Sequence, residues 1–214
     1  MDREDGLIGP PSDDLGEGDM PKTVEFFYDF TSPTAYLAWT QLPAIAKRCG
    51  AKLIYRPMFL GGVMQATENR PPGTVKAKAA WMAKDLQRFA KRYGVVYAMN
   101  PHFPMLTLMV QRAAMGWIDR PDFDAYLAAI FNAAWRDSKN IADKAQLTEI
   151  MNAAGFEPGA FFVAAEDPLN NEKLKANTDE AVARGAFGAP TFFLGEEMHF
   201  GQDRLDFVEA ALRA

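Results

Sequence analysis

The sequence predicts an α/β fold whose strands come as two separated pairs, with an all-α block between them. Three observations carry this. Short β-patterned runs stand at residues 24–28 and 52–56, and apolar residues then recur every three or four positions from 75 to about 184. A second pair of short runs, Thr191–Leu194 and Glu197–Phe200, precedes a last helical segment. With 214 residues, 49% hydrophobic and 24% charged, the chain has room for one substantial core or two modest lobes.

In residues 23–29, Val24, Phe26 and Tyr28 share one face, while Phe27 on the other indicates burial on both sides and therefore a central strand. The run breaks at Asp29-Phe30-Thr31-Ser32-Pro33. A helix is expected from Pro33 to Cys49, because Pro suits a first helical position and Gly50 stands where a glycine ends a helix. Residues 52–56 read as a second strand stopped by Pro57. Gly61-Gly62 then opens a loop that closes at Asn69-Arg70-Pro71-Pro72-Gly73. From 75 to 184 the pattern is helical throughout, with at least four helices. In the first, Met82, Leu86, Phe89, Ala90 and Tyr93 oppose Lys84, Asp85, Arg88, Lys91 and Arg92, and Gly94 ends it. Phe123, Tyr126, Leu127, Ile130, Phe131 and Ala134 form a second stripe, and Asp143 to Gln146 reads as a capping box for a helix ending at Gly155. Pro190 has no N–H to give a sheet ladder, so it belongs at the first residue of the strand that follows. A Gly195-Glu196 turn, a short strand and a helix over about 202–213 complete the chain.

Strand, turn, helix and a late proline-led strand outline a thioredoxin-like domain split by an all-α helical insertion. Residues 21–74 and 185–214 make up that domain, 75–184 the helical insertion domain, and 1–20 a disordered acidic extension. The extension carries seven acids against Arg3 alone, a net charge of −6 out of −5 for the chain, which leaves residues 21–214 at about +1. It lacks the basic and apolar regions of a secretory signal, and it also fits an upstream start with Met20 as the functional beginning. No apolar run reaches the roughly 18 residues of a membrane span. A near-neutral body without a basic stripe argues against nucleic acid. Cys49 alone cannot form an internal disulfide, which fits a reducing, cytoplasmic setting, and residues 29–36 hold no cysteine with which to exchange disulfides. His102 and His199 have no Cys or carboxylate at metal-ligand spacing, so no metal site is expected; His199 reads as a surface or packing residue.

Ser32 is the leading chemical candidate. It reads as a helix N-cap, and the same hydroxyl can donate to a bound thiolate, which lowers the pKa of the thiol. The segments FFYDFTSPTAY (26–36), NRPP (69–72), GAFGAPTF (185–192) and FGQDRLDF (200–207) together resemble the 2-hydroxychromene-2-carboxylate isomerases. These are DsbA-like members of the thioredoxin superfamily, related to kappa-class glutathione transferases. The resemblance spans about residues 20–214. It implies that Ser32 replaces the redox cysteine and activates the thiol of glutathione, that Ala189 and a cis-bonded Pro190 lie where the tripeptide backbone pairs, and that Gln202 and Asp203 hold its γ-glutamyl end. Glutathione carries two carboxylates, an ammonium and a thiol, so Asp203 suits the ammonium, while Arg70 with its neighbour Asn69 suits the glycyl carboxylate. Phe59, Trp81, His102 and Phe103 are candidates for an aromatic substrate cleft. Members often carry Asn two residues after the equivalent of Pro104; here that position is Leu106.

The implied activity is glutathione-dependent cis-trans isomerisation between 2-hydroxychromene-2-carboxylate and trans-o-hydroxybenzylidenepyruvate-type compounds, as in aromatic hydrocarbon degradation. The implied partners are a small aromatic substrate and glutathione, with a homodimer allowed. A kappa-like transferase that conjugates electrophiles needs the same thiolate and stays open, as does a non-catalytic glutathione- or peptide-binding module, against which Ser32 together with Asp203 argues.

Overall fold

The computed structural model describes residues 22–214, so the expected extension at 1–20 lies outside the described residues. Strand β1 (Thr23–Tyr28) is central in a four-stranded sheet of order β2-β1-β3-β4, formed with β2 (Lys52–Pro57), β3 (Thr191–Leu194) and β4 (Glu197–Phe200). It runs parallel to β2 and antiparallel to β3, with Phe26 opposite Phe192 and Phe27 opposite Thr191, and β4 pairs antiparallel with β3. Both faces of β1 are covered. Phe26 stacks on Phe192 at 5.4 Å and joins Tyr28 in the main core. On the other face, Phe27 and Phe193 meet edge to face at 5.5 Å within a smaller cluster.

The helices are α1 (Pro33–Trp39), α2 (Leu42–Arg48), α3 (Leu60–Ala66), α4 (Lys76–Tyr93), α5 (Leu108–Trp117), α6 (Phe123–Trp135), α7 (Lys144–Ala153), α8 (Pro158–Glu166), α9 (Pro168–Ala183) and α10 (Leu205–Arg213). Helices α4 to α9 thus lie between β2 and β3 in the chain. The main core runs without interruption from Val24 and Phe26 of the sheet to Phe131, Ile150 and Phe161 of these helices. Val63 of α3 and Ala181 of α9 cover the Phe27 face. No helix among the described residues is long and apolar enough to cross a membrane.

The expected single helix over 33–49 is two helices, with Thr40 and Gln41 between them. The cause is Pro43, which has no N–H for the Trp39 carbonyl and stands in the first turn of α2, where no such donor is needed. The expected loop at Gly61-Gly62 is instead α3, because tertiary partners cap it. The Phe59 N–H donates to Thr178 Oγ1 at 2.9 Å and the Leu60 N–H to Asp29 Oδ2 at 2.9 Å, which outweighs the low helix propensity of two glycines. A Cβ on Gly61 would lie 2.9 Å from the Phe59 ring, so the glycine lets that ring fold back over the helix. The helical pattern also fails over residues 95–107, where Pro101 and Pro104 remove donors and no helix forms. At α7, Asp143 caps the Gln146 N–H at 2.9 Å, but the Gln146 side chain accepts from the Asn140 N–H rather than returning to Asp143, so only half of the expected capping box exists. Residues 202–204, expected in the last helix, form a single 3₁₀ turn ahead of α10.

One buried carboxylate fixes how these pieces meet. Asp29 is 0% exposed; Oδ1 accepts from the Thr31 N–H at 3.0 Å and from the Thr107 hydroxyl at 2.6 Å, and Oδ2 accepts from Leu60. Burial raises its pKa above the ordinary 3.8, and the hydrogen bonds from Thr107, Thr31 and Leu60 only partly offset this. A carboxyl with a raised folded-state pKa binds its proton more tightly in the folded chain. Its contribution to stability is therefore full below about 3.8 and is lost as pH rises through the folded value. In Asp29→Asn, one of the two side-chain atoms becomes a donor facing a donor. We expect a loss of about 1–3 kcal/mol in urea unfolding at neutral pH, and a stability–pH slope more positive than wild type just above pH 3.8, since the group whose titration lowers stability there is gone. An unchanged slope would show that Asp29 does not titrate in that window.

Candidate active site

Where β1 ends, the chain turns back through a Ser32 N–H bond to the Asp29 carbonyl at 2.9 Å, and Ser32 becomes the N-cap of α1. Its Oγ accepts from the Ala35 N–H at 3.1 Å, and its carbonyl accepts from Tyr36. Pro33 has no N–H to offer. Of the donors at the start of this seven-residue helix, the Thr34 N–H alone has no partner among the described residues, so a ligand here can meet that one backbone N–H and the Ser32 hydroxyl. The Ser32 side chain is 3% exposed and donates to the Ala189 carbonyl at 3.1 Å. The Thr34 hydroxyl donates to the same carbonyl at 3.0 Å and lies 2.8 Å from Ser32 Oγ.

Ala189 precedes Pro190 across a cis peptide bond, as the resemblance implied. The segment before it is held by two side chains. Asn69 Nδ2 donates to the Phe187 carbonyl at 2.7 Å, and the Thr191 hydroxyl donates to the Gly188 carbonyl at 2.8 Å. Gly188 is required because a Cβ there would lie 2.8 Å from the Phe200 ring, which packs against Phe187 at 4.4 Å. The Gly201 N–H donates to the Pro190 carbonyl at 3.0 Å, and this joins the 3₁₀ turn of Gln202 and Asp203 to the same place. Gly201 has φ +99, a conformation that favours glycine. The Tyr93 hydroxyl at the end of α4 donates to the Gln202 carbonyl at 2.6 Å; burial pushes its pKa up to about 12, so it stays a neutral donor. Asp203 is half-exposed and pairs with Arg204 at 2.8 Å. Arg70 is exposed, and its guanidinium has no ion pair or hydrogen bond among the described residues.

The structure thus brings together Ser32, Ala189, Pro190, Asn69, Gln202 and Asp203, with Arg70 beside Asn69. Phe103 sits on the same side. Its loop bonds to the turn before Ser32 through Met105 N–H to Thr31 Oγ1 at 3.3 Å, and its ring packs on Trp135, whose indole N–H donates to the Phe30 carbonyl at 2.8 Å. His102 and Leu106 on that loop are exposed, as is Trp81 on α4. Phe59 is elsewhere: it lines a cleft of about 610 Å³ between α3, α5 and α9 whose walls include Arg112 and Thr178 but not Ser32, Ala189 or Asp203. Cys49 caps α2 and His199 lies within β4, both apart from these groups. Sequence reasoning passed over Asp29 and Thr34. For Asp29 a signal existed, an acid two residues ahead of a turn N–H, which is the spacing of an Asx turn; for Thr34, bonded to a carbonyl 155 residues away, there was none.

A family model described as a DSBA-like thioredoxin domain matches residues 23–213. A 2-hydroxychromene-2-carboxylate isomerase of Sphingobium xenophagum is 30% identical over 195 residues, covering 90% of this chain and 99% of the relative. Glutathione S-transferase kappa 1 of Caenorhabditis elegans is 27% identical over 217 residues, covering 91% and 93%. A solved structure of a selenomethionine 2-hydroxychromene-2-carboxylate isomerase superposes with a TM-score of 0.81 at 28% identity, covering 89% of this chain and 94% of that one. From the family match over residues 23–213, this chain belongs to the DsbA-like thioredoxin family, among relatives that include 2-hydroxychromene-2-carboxylate isomerases and kappa-class glutathione transferases.

Proposed function

We propose that this protein is a glutathione-dependent isomerase that interconverts 2-hydroxychromene-2-carboxylate and trans-o-hydroxybenzylidenepyruvate-type compounds. The observation that carries the reading is the buried Ser32 hydroxyl facing the Ala189 carbonyl beside cis-Pro190, in a chain 30% identical to such an isomerase. The groups present fit glutathione: a hydroxyl donor for a thiolate, a backbone segment at Ala189 for the tripeptide, Asp203 for an ammonium and Arg70 for a carboxylate. Bound glutathione would supply a sulfur nucleophile that adds to the unsaturated substrate and is released unchanged, so that a double bond becomes single long enough to rotate. The protein's part is to hold and to exclude. Ser32 donates to the sulfur and favours its charged form, Ala189 and Asp203 fix the tripeptide, and the Phe103 loop with Trp81 offers apolar surface to an aromatic ring. A homodimer and a cytoplasmic setting belong to the same proposal.

The assay follows chromene-carboxylate decay in the ultraviolet with and without glutathione, while free thiol is counted. We expect decay only with glutathione and no loss of thiol over many turnovers. One thiol lost per product, with a stable thioether accumulating, would overturn the isomerase in favour of a kappa-like transferase, a reading favoured by the kappa relatives that match about nine-tenths of the chain.

Ser32→Ala is expected to lower stability by about 1 kcal/mol, the usual effect of a lost cap, while the thiol of bound glutathione titrates higher and turnover falls strongly. Thiolate absorbance of the binary complex across pH reads this directly, and an unchanged curve would remove Ser32 from the chemistry.

Asp203 should act on affinity rather than on chemistry. Because it already pairs with Arg204 and is half-exposed, Asp203→Asn is expected to weaken glutathione by roughly tenfold, the low end for a charge-assisted hydrogen bond. Calorimetric titration with glutathione and with S-methylglutathione should show equal losses. Binding as tight as wild type would confine Asp203 to its turn.

A further inference from the structure

We infer that Thr34 is a positioning residue for Ser32: its hydroxyl keeps the Ala189 carbonyl bonded while the Ser32 proton turns to the sulfur of a bound thiol. The inference rests on the glutathione reading above and concerns a side chain with no role in it so far. Three oxygens form a closed set, with Ser32 Oγ 3.1 Å from Ala189 O, Thr34 Oγ1 3.0 Å from Ala189 O, and the two hydroxyl oxygens 2.8 Å apart. The two hydroxyls bring two protons and the carbonyl none, so only two of the three contacts can hold a proton at once. One arrangement is therefore always spare.

The spare arrangement decides what Ser32 can do. Ala189 is 8% exposed, and a carbonyl so buried needs a donor. If Ser32 were its sole donor, turning that proton toward a sulfur would leave the carbonyl unpaired and oppose the stabilisation that the thiolate gains. Thr34 removes the conflict. It stays on the carbonyl, Ser32 Oγ remains anchored by the Ala35 N–H at 3.1 Å, and the Ser32 proton alone changes direction. The covalent O–H bond of Ser32 stays intact, and only its hydrogen bond to Ala189 is given up. Thr34 stands at the second position of α1, where helical backbone fixes its Cα, and no other hydrogen bond uses its side chain. Branching at Cβ leaves it few rotamers to lose.

The test compares wild type with Thr34→Val, which keeps the shape and loses the hydroxyl, and with Thr34→Ser, which keeps the hydroxyl. Thiolate absorbance of each binary complex with glutathione is titrated against pH, and affinity for S-methylglutathione, which has no ionisable thiol, is measured beside it. In Thr34→Val the thiol midpoint should rise by about one pH unit, tenfold less thiolate at a given pH or about 1.4 kcal/mol. Thr34→Ser should titrate as wild type, and S-methylglutathione should bind all three alike. If wild type and Thr34→Val titrate together at a depressed midpoint, the inference is overturned and the glutathione reading stands. If Thr34→Val weakens S-methylglutathione as much as it shifts the thiol, Thr34 merely shapes the site and the inference again falls. A wild-type protein that holds no thiolate at all overturns the glutathione reading and this inference with it.

Discussion

The Asp29 carboxylate is the constraint on which the rest of the site depends. A charge in a fully buried position is tolerated only with hydrogen-bond donors around it, and the three donors here come from three different places: the turn that delivers Ser32, the start of α3 at Leu60, and the residue before α5 at Thr107. Satisfying one buried group thereby ties together segments 31, 60 and 107, which the chain itself keeps far apart. Gln111, one turn further along α5 and also fully buried, repeats the device by donating to the Tyr28 carbonyl at 2.9 Å and the Met58 carbonyl at 2.7 Å. The helical block is thus bolted to the C-terminal ends of β1 and β2, where the Ser32 turn begins. Such bonds are directional, so they fix orientation as well as distance, which apolar packing by itself does not.

The opposite face of the sheet is organised by charge lying on aromatic rings. Glu25, Arg56, Glu180 and Arg184 form a half-buried network, with Arg184 bonded to Glu25 at 2.6 Å and to Glu180 at 3.2 Å, and Arg56 reaching both acids. Both guanidinium groups cover the apolar cluster: Arg184 stands 3.8 Å above the Phe193 ring and Arg56 4.9 Å above Phe27. Isolated surface pairs contribute little, but four alternating charges seated on rings hold the end of α9 against β1 and β2. The chain then has only residues 184–190 in which to reach the cis-Pro190 strand, so the position of Ala189 is set by the anchoring of α9 as well as by Asn69. Each side of the site is held by its own face of the sheet.

What the sequence made legible was whatever local chemistry decides. The strands, the proline that opens β3, the Gly94 stop and the Ser32 cap all follow from the preferences of a few adjacent residues, and they stand where expected. Two of the misreadings, at α3 and at residues 95–107, come from partners far away in sequence, and one is local. Two glycines became helical because Thr178 and Asp29 cap α3. The first helix split because Pro43 sits inside a pattern whose periodicity continues across it. The 95–107 segment carries apolar residues at helical spacing, yet it follows an irregular path set by Tyr36 bonding to the Val96 carbonyl at 2.7 Å and by Asn100, whose amide bonds to the Ala134 and Lys139 carbonyls. In the site, residues carrying recognisable motifs were found, and Thr34, bonded to Ser32 and to a carbonyl 155 residues away, was not. Phe59, named as a candidate for the substrate cleft, lines the cleft between α3, α5 and α9, whose walls do not include Ser32, Ala189 or Asp203.

A serine at the head of α1 changes what the scaffold is able to do more than it changes the scaffold. A thiol there could attack a disulfide and be regenerated, whereas an alcohol, with a far higher pKa, neither attacks nor leaves under the same conditions. What it retains is a proton to donate. Its surroundings suit that reduced part, because Pro33 has no backbone donor, those of Ala35 and Tyr36 are already bonded and only that of Thr34 is left, so the hydroxyl is the element whose proton can turn. A nucleophile brought from outside must then be recognised along its length, which calls for acceptors and donors several residues from the reacting atom. Asn69, Gly201 and the turn at Gln202 and Asp203 are tied by hydrogen bonds to the backbone around Ala189 and Pro190, so they share one frame with the Ser32 hydroxyl. In the reading proposed here, that shared frame is what lets binding far from the sulfur hold it at hydrogen-bond distance from Ser32.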